Sequence, residues 1–196
     1  LAVGNVPFGN YKVSDKPYDK LGFSIHNYFF AKALDQVRPG GVVAFVTSRY
    51  TMDSKNSDAR RYLAQRAELL GAIRLPNDAF KKNAGTEVVS DIIFLQKRDH
   101  PIDIVPDWVH LNRTDAGHTM NSYFVEHPEM ILGETVEEST AYGMDLTVRP
   151  IEGAELSDLL KEAVSHIEGI YQAVELPEAE KGKEAETIPA TPDLKN

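Results

Sequence analysis

Asn5-Val6-Pro7-Phe8, near the start of this 196-residue chain, is the stretch best equipped to bind and orient a reacting group. A short apolar run, Leu1-Ala2-Val3, reads as a strand end, and Gly4-Asn5 as a tight bend after it. An amide side chain, a backbone carbonyl and an aromatic ring then fall within four residues, with a proline that fixes φ and stiffens the loop. That set suits a flat, amino-bearing group. An exocyclic amine on a heteroaromatic ring, like the nitrogen of a primary amide, has a delocalised lone pair and is a poor nucleophile. Acceptors on its two N–H bonds, the Asn5 side-chain oxygen and the Val6 carbonyl, would localise that lone pair and orient it. Phe8 would stack on the ring. Base–aromatic stacking is worth roughly 1–3 kcal/mol, which helps to hold a base that must leave the duplex stack to be reached. The same four residues are also compatible with a plain turn.

The elements needed to position such a loop follow in order. Ile25, Phe29, Phe30, Ala33, Leu34 and Val37 recur at helical spacing, and Pro39-Gly40-Gly41 ends that helix. Val42-Val43-Ala44-Phe45-Val46 is apolar on both faces, as in a parallel strand buried between helix layers. A second helix is expected from Asp58 to Leu70, with Ser57 or Asp58 as N-cap, and a strand from Ala72 to Leu75. Val88 to Gln96 is a longer β-rich run. Strand, helix, strand, helix, strand is the doubly wound α/β pattern, and the last two strands, joined by a loop from Pro76 to Glu87, could close it as a hairpin.

With these residues in view, Asn5-Val6-Pro7-Phe8 resembles motif IV of the N6-adenine methyltransferases, (Asn/Asp/Ser)-Pro-Pro-(Tyr/Phe). Gly9-Asn10-Tyr11-Lys12, the run Ser24 to Leu34, Arg38-Pro39-Gly40-Gly41 and Val42 to Ser48 follow in the order such an enzyme would show. So do Ala67 to Pro76, Ala84-Gly85-Thr86-Glu87-Val88 and Asp91-Ile92-Ile93-Phe94-Leu95. Together they are similar to the N-6 DNA methylase family, in particular to methylase modules of very large bacterial mobile-element proteins that also carry a Swi/Snf-type helicase. The resemblance is close over residues 1–100 and looser to about residue 150.

The resemblance implies the C-terminal part of a Rossmann-like S-adenosylmethionine-dependent methyltransferase fold, a doubly wound sheet with a terminal hairpin. It implies methyl transfer to adenine N6 of DNA by direct in-line displacement. Asn5, Val6, Pro7 and Phe8 would form the catalytic loop, with Tyr11 and Lys12 beside the substrate. Val6 departs from the motif, and adenine dimethyltransferases acting on ribosomal RNA are similar in having an aliphatic residue there. Ribosomal RNA adenine and protein glutamine therefore stay open as substrates, as does a non-catalytic module kept for DNA binding or assembly.

The cofactor half of such a fold is not evident. No Gly-x-Gly stands between a strand and a helix, and the chain starts at Leu inside a strand. The expectation is a piece of a longer parent that begins at the fourth strand and binds no S-adenosylmethionine alone. It would seat against the S-adenosylmethionine half, or self-associate through the exposed sheet. Residues 1–100 would be the catalytic half, 101–175 a connecting region and 176–196 a disordered acidic tail. In the connecting region an amphipathic helix of about twenty residues is expected from Leu156 towards Val174.

Charge divides the same way. Residues 1–100 carry 15 Lys/Arg and 10 Asp/Glu, net +5, against 6 and 20, net −14, over the remainder. Lys12, Lys16 and Lys20 after the loop are either a nucleic-acid footprint or ordinary solvated lysines. Six histidines show no paired metal spacing and no Cys joins them, so no metal site is expected. Asp91 and Glu87 are expected to satisfy turn amides rather than orient a substrate, and Tyr11 to stack beside Phe8 or enter the core. With no signal peptide or apolar membrane run, a cytoplasmic protein without a membrane partner is the default.

Overall fold

The computed structural model describes residues 1–7, 9, 11–81, 88–140 and 143–170. Four strands form the main sheet: β1 (Ala2–Asn5), β2 (Val42–Ser48), β3 (Ala67–Arg74) and β4 (Ser90–Lys97), in spatial order β1-β2-β4-β3. β1 and β2 run parallel, and β4 is antiparallel to both β2 and β3. The last two strands do form an antiparallel pair, but β4 inserts beside β2 and leaves β3 at the edge. This is a mixed α/β sheet.

The parallel β1–β2 pair requires a crossover, supplied by α1 (Lys16–Asp19) and α2 (Ile25–Gln36). Ile25, Phe30, Ala33 and Leu34 of α2 are buried on one stripe, and Phe30 packs on Phe45 of β2 with ring centroids 5.2 Å apart. The helix stops where expected. Val37 is its C-cap, and Gly40 turns the chain at φ 70°, a left-handed conformation that glycine adopts without a Cβ penalty. Between β2 and β3 run α3 (Tyr50–Asp53) and α4 (Asp58–Arg66).

Two expectations fail here for the same physical reason. The second helix ends at Arg66 rather than Leu70, and the strand begins at Ala67 rather than Ala72. Ala67, Glu68 and Leu69 pair with Lys97, Gln96 and Leu95 of β4, and the register shifts between Leu69 and Gly71. Cross-strand pairing to β4 therefore overrides the helical periodicity of the Ala67–Leu70 run.

The two faces of the sheet are covered unequally. Val43 and Phe45, with Ile93, Leu95 and Ala72 across the sheet, are buried beneath the α2 side. On the opposite face burial declines across the strands: Ile73 is buried, Ile92 and Val46 are half-buried, and Asn5 is exposed. The strand expected to be buried on both faces is buried on one. The covered end of that second face lies under the C-terminal region, where Ile167 and the Tyr123 hydroxyl press on Gly71.

That region comprises a 3-10 turn (Asp107–Val109), β5 (Leu111–Arg113), β6 (Thr119–Asn121), α5 (Ser122–Glu126), a second 3-10 turn (Pro128–Met130), the hairpin β7 (Glu134–Thr140) and β8 (Gly143–Arg149), and α6 (Leu156–Ser165). Trp108, Val109, Met120, Phe124, Met130 and Leu132 enter the same hydrophobic core as the main sheet. Gly143 and Met144 open β8, and Tyr142 before them lies outside the described residues. α6 has ten residues, about half the expected length. Leu156, Leu159, Leu160 and Ile167 pack against the core, but Val164 and Ile170 point to solvent, so the apolar run does not continue one buried stripe. Residues 171–196, including the expected acidic tail, lie outside the described residues.

Candidate active site

Asn5 is the last residue of β1, at the carboxyl edge of the parallel strands, where open α/β sheets place their ligands. It is exposed and pairs in register with Val46, and among the described residues its side chain makes no hydrogen bond. Val6 is 5% exposed, and its N–H donates to the Val46 carbonyl at 3.0 Å, so the ladder runs one residue past Asn5. Pro7 follows, half-buried. Phe8, the expected stacking ring, lies outside the described residues. Tyr11 is not core: it is 55% exposed, and its ring lies against Gly9. Lys12 is exposed beside it.

A second polar cluster occupies the same edge at β2, β3 and β4. Arg74, the last residue of β3, grips Asp91 of β4 through Nε to Oδ1 at 2.8 Å and Nη2 to Oδ2 at 2.9 Å. Its Nη1 donates to Asp53 Oδ2 at 2.8 Å, and its guanidinium lies 4.2 Å from the Phe124 ring centroid. Asp53 also accepts from Arg49 at 3.3 Å and from the Asn121 N–H at 3.0 Å. Arg49 reaches outward to Asp145 on β8, which Tyr50 also bonds at 3.1 Å. The row Asp91, Arg74, Asp53, Arg49, Asp145 thus runs from the core to the surface hairpin.

The energetics of this row are those of buried ions. Burial works against the charge of Arg74, but Asp91 and Asp53 more than offset it and hold the guanidinium protonated. Burial raises the Asp91 carboxyl above its usual range while Arg74 pulls it back, and the bidentate geometry keeps the pair ionic near neutral pH. Asp145 loses solvent, yet its bonds to Arg49 hold its carboxyl below the ordinary value. Asp91 therefore neither satisfies turn amides nor faces a substrate. It is the inner anchor of a structural network. Glu87 lies outside the described residues.

Arg49, Asp53 and Arg74 were not apparent in the sequence as members of one cluster. A signal existed in the way Arg74 closes one apolar strand and Asp91 opens its antiparallel neighbour, which places opposite charges face to face. Outside this row the hairpin borders a cavity of about 570 Å³ lined by Arg49, Tyr50, Lys55, His118, Glu137 and Asp145, among others. Among the described residues, no cluster of His, Asp and Glu could hold a metal ion, and no helix is long and apolar enough to cross a membrane.

Comparison with known proteins gives the following. No protein-family model matches the chain. It is 37% identical over 106 residues to defense against restriction protein B of Escherichia phage P1, a match covering 52% of this chain and 4% of that protein. An inferred class I S-adenosylmethionine-dependent methyltransferase of Listeria monocytogenes superposes at a TM-score of 0.38 and 22% identity, covering 53% of this chain and 32% of the other. A modification subunit of an inferred type I restriction enzyme from Vibrio vulnificus YJ016 gives a TM-score of 0.41 and 19% identity, covering 80% and 39%.

Proposed function

We propose that the chain supplies the amine-binding side of an S-adenosylmethionine-dependent methyltransferase that acts on adenine N6 of DNA. The observation that carries this is the free Asn5 amide at the carboxyl end of a parallel strand, next to a Val6 whose backbone is fixed by its bond to Val46. The two acceptors take the two N–H bonds of the amine, localise its lone pair and aim it. Both interactions strengthen as the nitrogen becomes tetrahedral, so they favour the transition state over bound substrate. Phe8 stacks on the base. The similarity to a phage protein named for defence against restriction favours DNA over ribosomal RNA or a protein amide, because restriction acts on DNA.

The methyl donor does not fit the described residues. Asp53 and Asp91, the buried carboxylates at this edge, are consumed by arginines, and no described strand-to-helix turn offers a glycine-rich cradle. The cofactor is therefore assigned to other residues of a longer parent, which we place against the uncovered β1 side of the sheet. A helicase module in that parent, and pairing of two copies through the same side, belong to this proposal. Calorimetry of the 196-residue chain should show no S-adenosylmethionine binding, and one-site micromolar binding would contradict the assignment.

The deciding assay is single-turnover methylation by the full-length parent. Adenine-containing DNA should be methylated at N6. Methylation of ribosomal RNA alone, or of a protein glutamine, would overturn the DNA assignment and keep the amine chemistry. DNA binding without methylation of any of the three would leave a non-catalytic module.

A further inference from the structure

Between the Asn5 loop and α2 the chain builds a second concave site. A cavity of about 320 Å³ is lined by Lys12, Ser14, Tyr18, Asp19, Phe23 and Tyr28, among others. It lies at the Asn5 end of the sheet, because this segment leads from the carboxyl end of β1 into the first turn of α2. Its volume sits at the lower end of the range for small-ligand sites, about 300–1,000 Å³.

The walls are held rigidly. Asp15 accepts from the Tyr28 hydroxyl at 2.9 Å and from Lys32 Nζ at 2.8 Å, the Tyr18 hydroxyl donates to Asp35, and Asp19 accepts the Asp15 N–H at 2.8 Å. Tyr18 and Tyr28 meet edge to face at 5.5 Å, and Phe23 meets Tyr62 at 5.4 Å. Gly22 closes the turn at φ 62°. The hydroxyls of both tyrosines are thus spent on the protein, and what they offer a ligand is ring surface.

The charges at the cavity are mixed. Asp15 is paired with Lys32, while the Asp19 carboxylate accepts the Asp15 N–H and lines the cavity together with Lys12. No carboxylate pairs with Lys12, Lys16 or Lys20 among the described residues, and all three are exposed. Aromatic walls beside an exposed lysine are a combination by which proteins hold single-stranded nucleic acid, the rings carrying bases and the lysine a phosphate.

We propose that this cavity receives the nucleotide adjoining the one whose amine docks at Asn5, with its phosphate on Lys12, away from Asp19, and its base on the Tyr18, Phe23 and Tyr28 walls. The proposal rests on the methyltransferase reading and adds a second contact on the same strand. That contact holds the strand while the target base is out of its stack.

The test uses the 196-residue chain and a fluorescein-labelled 12-nucleotide DNA strand containing one adenine. Anisotropy should report binding whose dependence of log K on log salt becomes shallower by about 0.7 in Lys12→Ala, the increment for one phosphate contact on a single strand. With 5-iodouracil next to the adenine, irradiation and peptide mapping should give crosslinks at Tyr18, Phe23 or Tyr28, and these should vanish when the iodouracil is moved five nucleotides away. Crosslinks confined to other aromatic residues such as Tyr50, with an unchanged salt slope, would overturn the pocket. So would no strand binding at all, or competition by free adenosine monophosphate as strong as by the strand. The Asn5 reading is judged separately, by methylation in the full-length parent, so the two failures are distinguishable.

Discussion

The carboxyl edge of the sheet carries two polar regions of opposite character. At β2, β3 and β4 the side chains of Arg74, Asp91, Asp53 and Arg49 are buried and engage one another. At β1, on the far side of β2 along the same edge, the Asn5 amide is exposed and, among the described residues, unengaged. The charged groups of the first region engage one another and fasten the sheet to the Asn121 turn and the β7–β8 hairpin. The second has capacity and little structural duty. Perturbed ionisation points to the first region, where Arg74 and Asp91 are strongly shifted by burial and by each other.

If that division is right, substitutions along the edge should separate into those that cost stability and those that cost chemistry. The largest loss of stability is expected for Arg74→Met, which strands Asp91 and Asp53 without a partner. Breaking a buried pair from one side costs about 3–5 kcal/mol, read as a fall in the urea midpoint. Adding Asp91→Leu should restore part of the loss, and a cost below about 1 kcal/mol for Arg74→Met would dismiss the network as structural.

Gly133→Ala comes next. A Cβ there would sit 2.3 Å from the Arg149 carbonyl and 2.6 Å from a Val148 methyl, so the root of the hairpin must move. Overpacking of this kind costs about 1–3 kcal/mol, and proteolysis within 134–149 should accelerate. Unchanged protease sensitivity would mean that the hairpin absorbs the methyl freely.

Val6→Pro sits on the boundary between the two regions. It keeps the carbonyl required for the amine but deletes the N–H that donates to Val46. The expected outcome is about 0.5–1.5 kcal/mol less stability with methylation by the parent retained. Loss of activity in a folded variant would show that more than the carbonyl is used at position 6.

His26, at the start of α2, gives a smaller and pH-limited effect. Burial holds its imidazole below the ordinary value, and its Nδ1 is buried without a hydrogen-bond partner. A base whose folded pKa lies below the unfolded value of about 6.5 gives stability that is complete above that pH. The stability is lost as pH falls through the folded pKa, because the unfolded chain takes up the proton first. His26→Gln should leave stability at pH 8 nearly unchanged and flatten the decline between about pH 6.5 and 5. An equally steep decline in the variant would assign it to other groups.

The sequence made some of this architecture legible and hid the rest for definable reasons. α2 and β2 could be read because an apolar stripe ended by Pro39-Gly40-Gly41 and an unbroken apolar run have few alternatives. The start of β3 could not, because Ala67-Glu68-Leu69-Leu70 is as good a helix end as a strand, and only β4 decides. α6 was overestimated because apolar residues continue at helical spacing past the last turn that has a core to pack on. The strand that ends at Asn5 was legible from Ala2-Val3 and the Gly4-Asn5 bend, and the role proposed for Asn5 draws only on neighbours within three residues. The ion row was not, because Asp53 meets Arg74 from 21 residues away and Asn121 from 68.

The central claim is that Asn5 serves chemistry and not the fold, and one variant tests it. Asn5→Ala in the full-length parent should be measured by single-turnover methylation of adenine-containing DNA, and by urea unfolding of the same preparation. The account predicts a fall of ~10²–10³ in the methylation rate, the scale for losing one transition-state hydrogen bond, with stability within about 0.5 kcal/mol of wild type, as for an exposed site. Full activity in Asn5→Ala would contradict the claim, and so would a rate loss matched by an equivalent loss of stability.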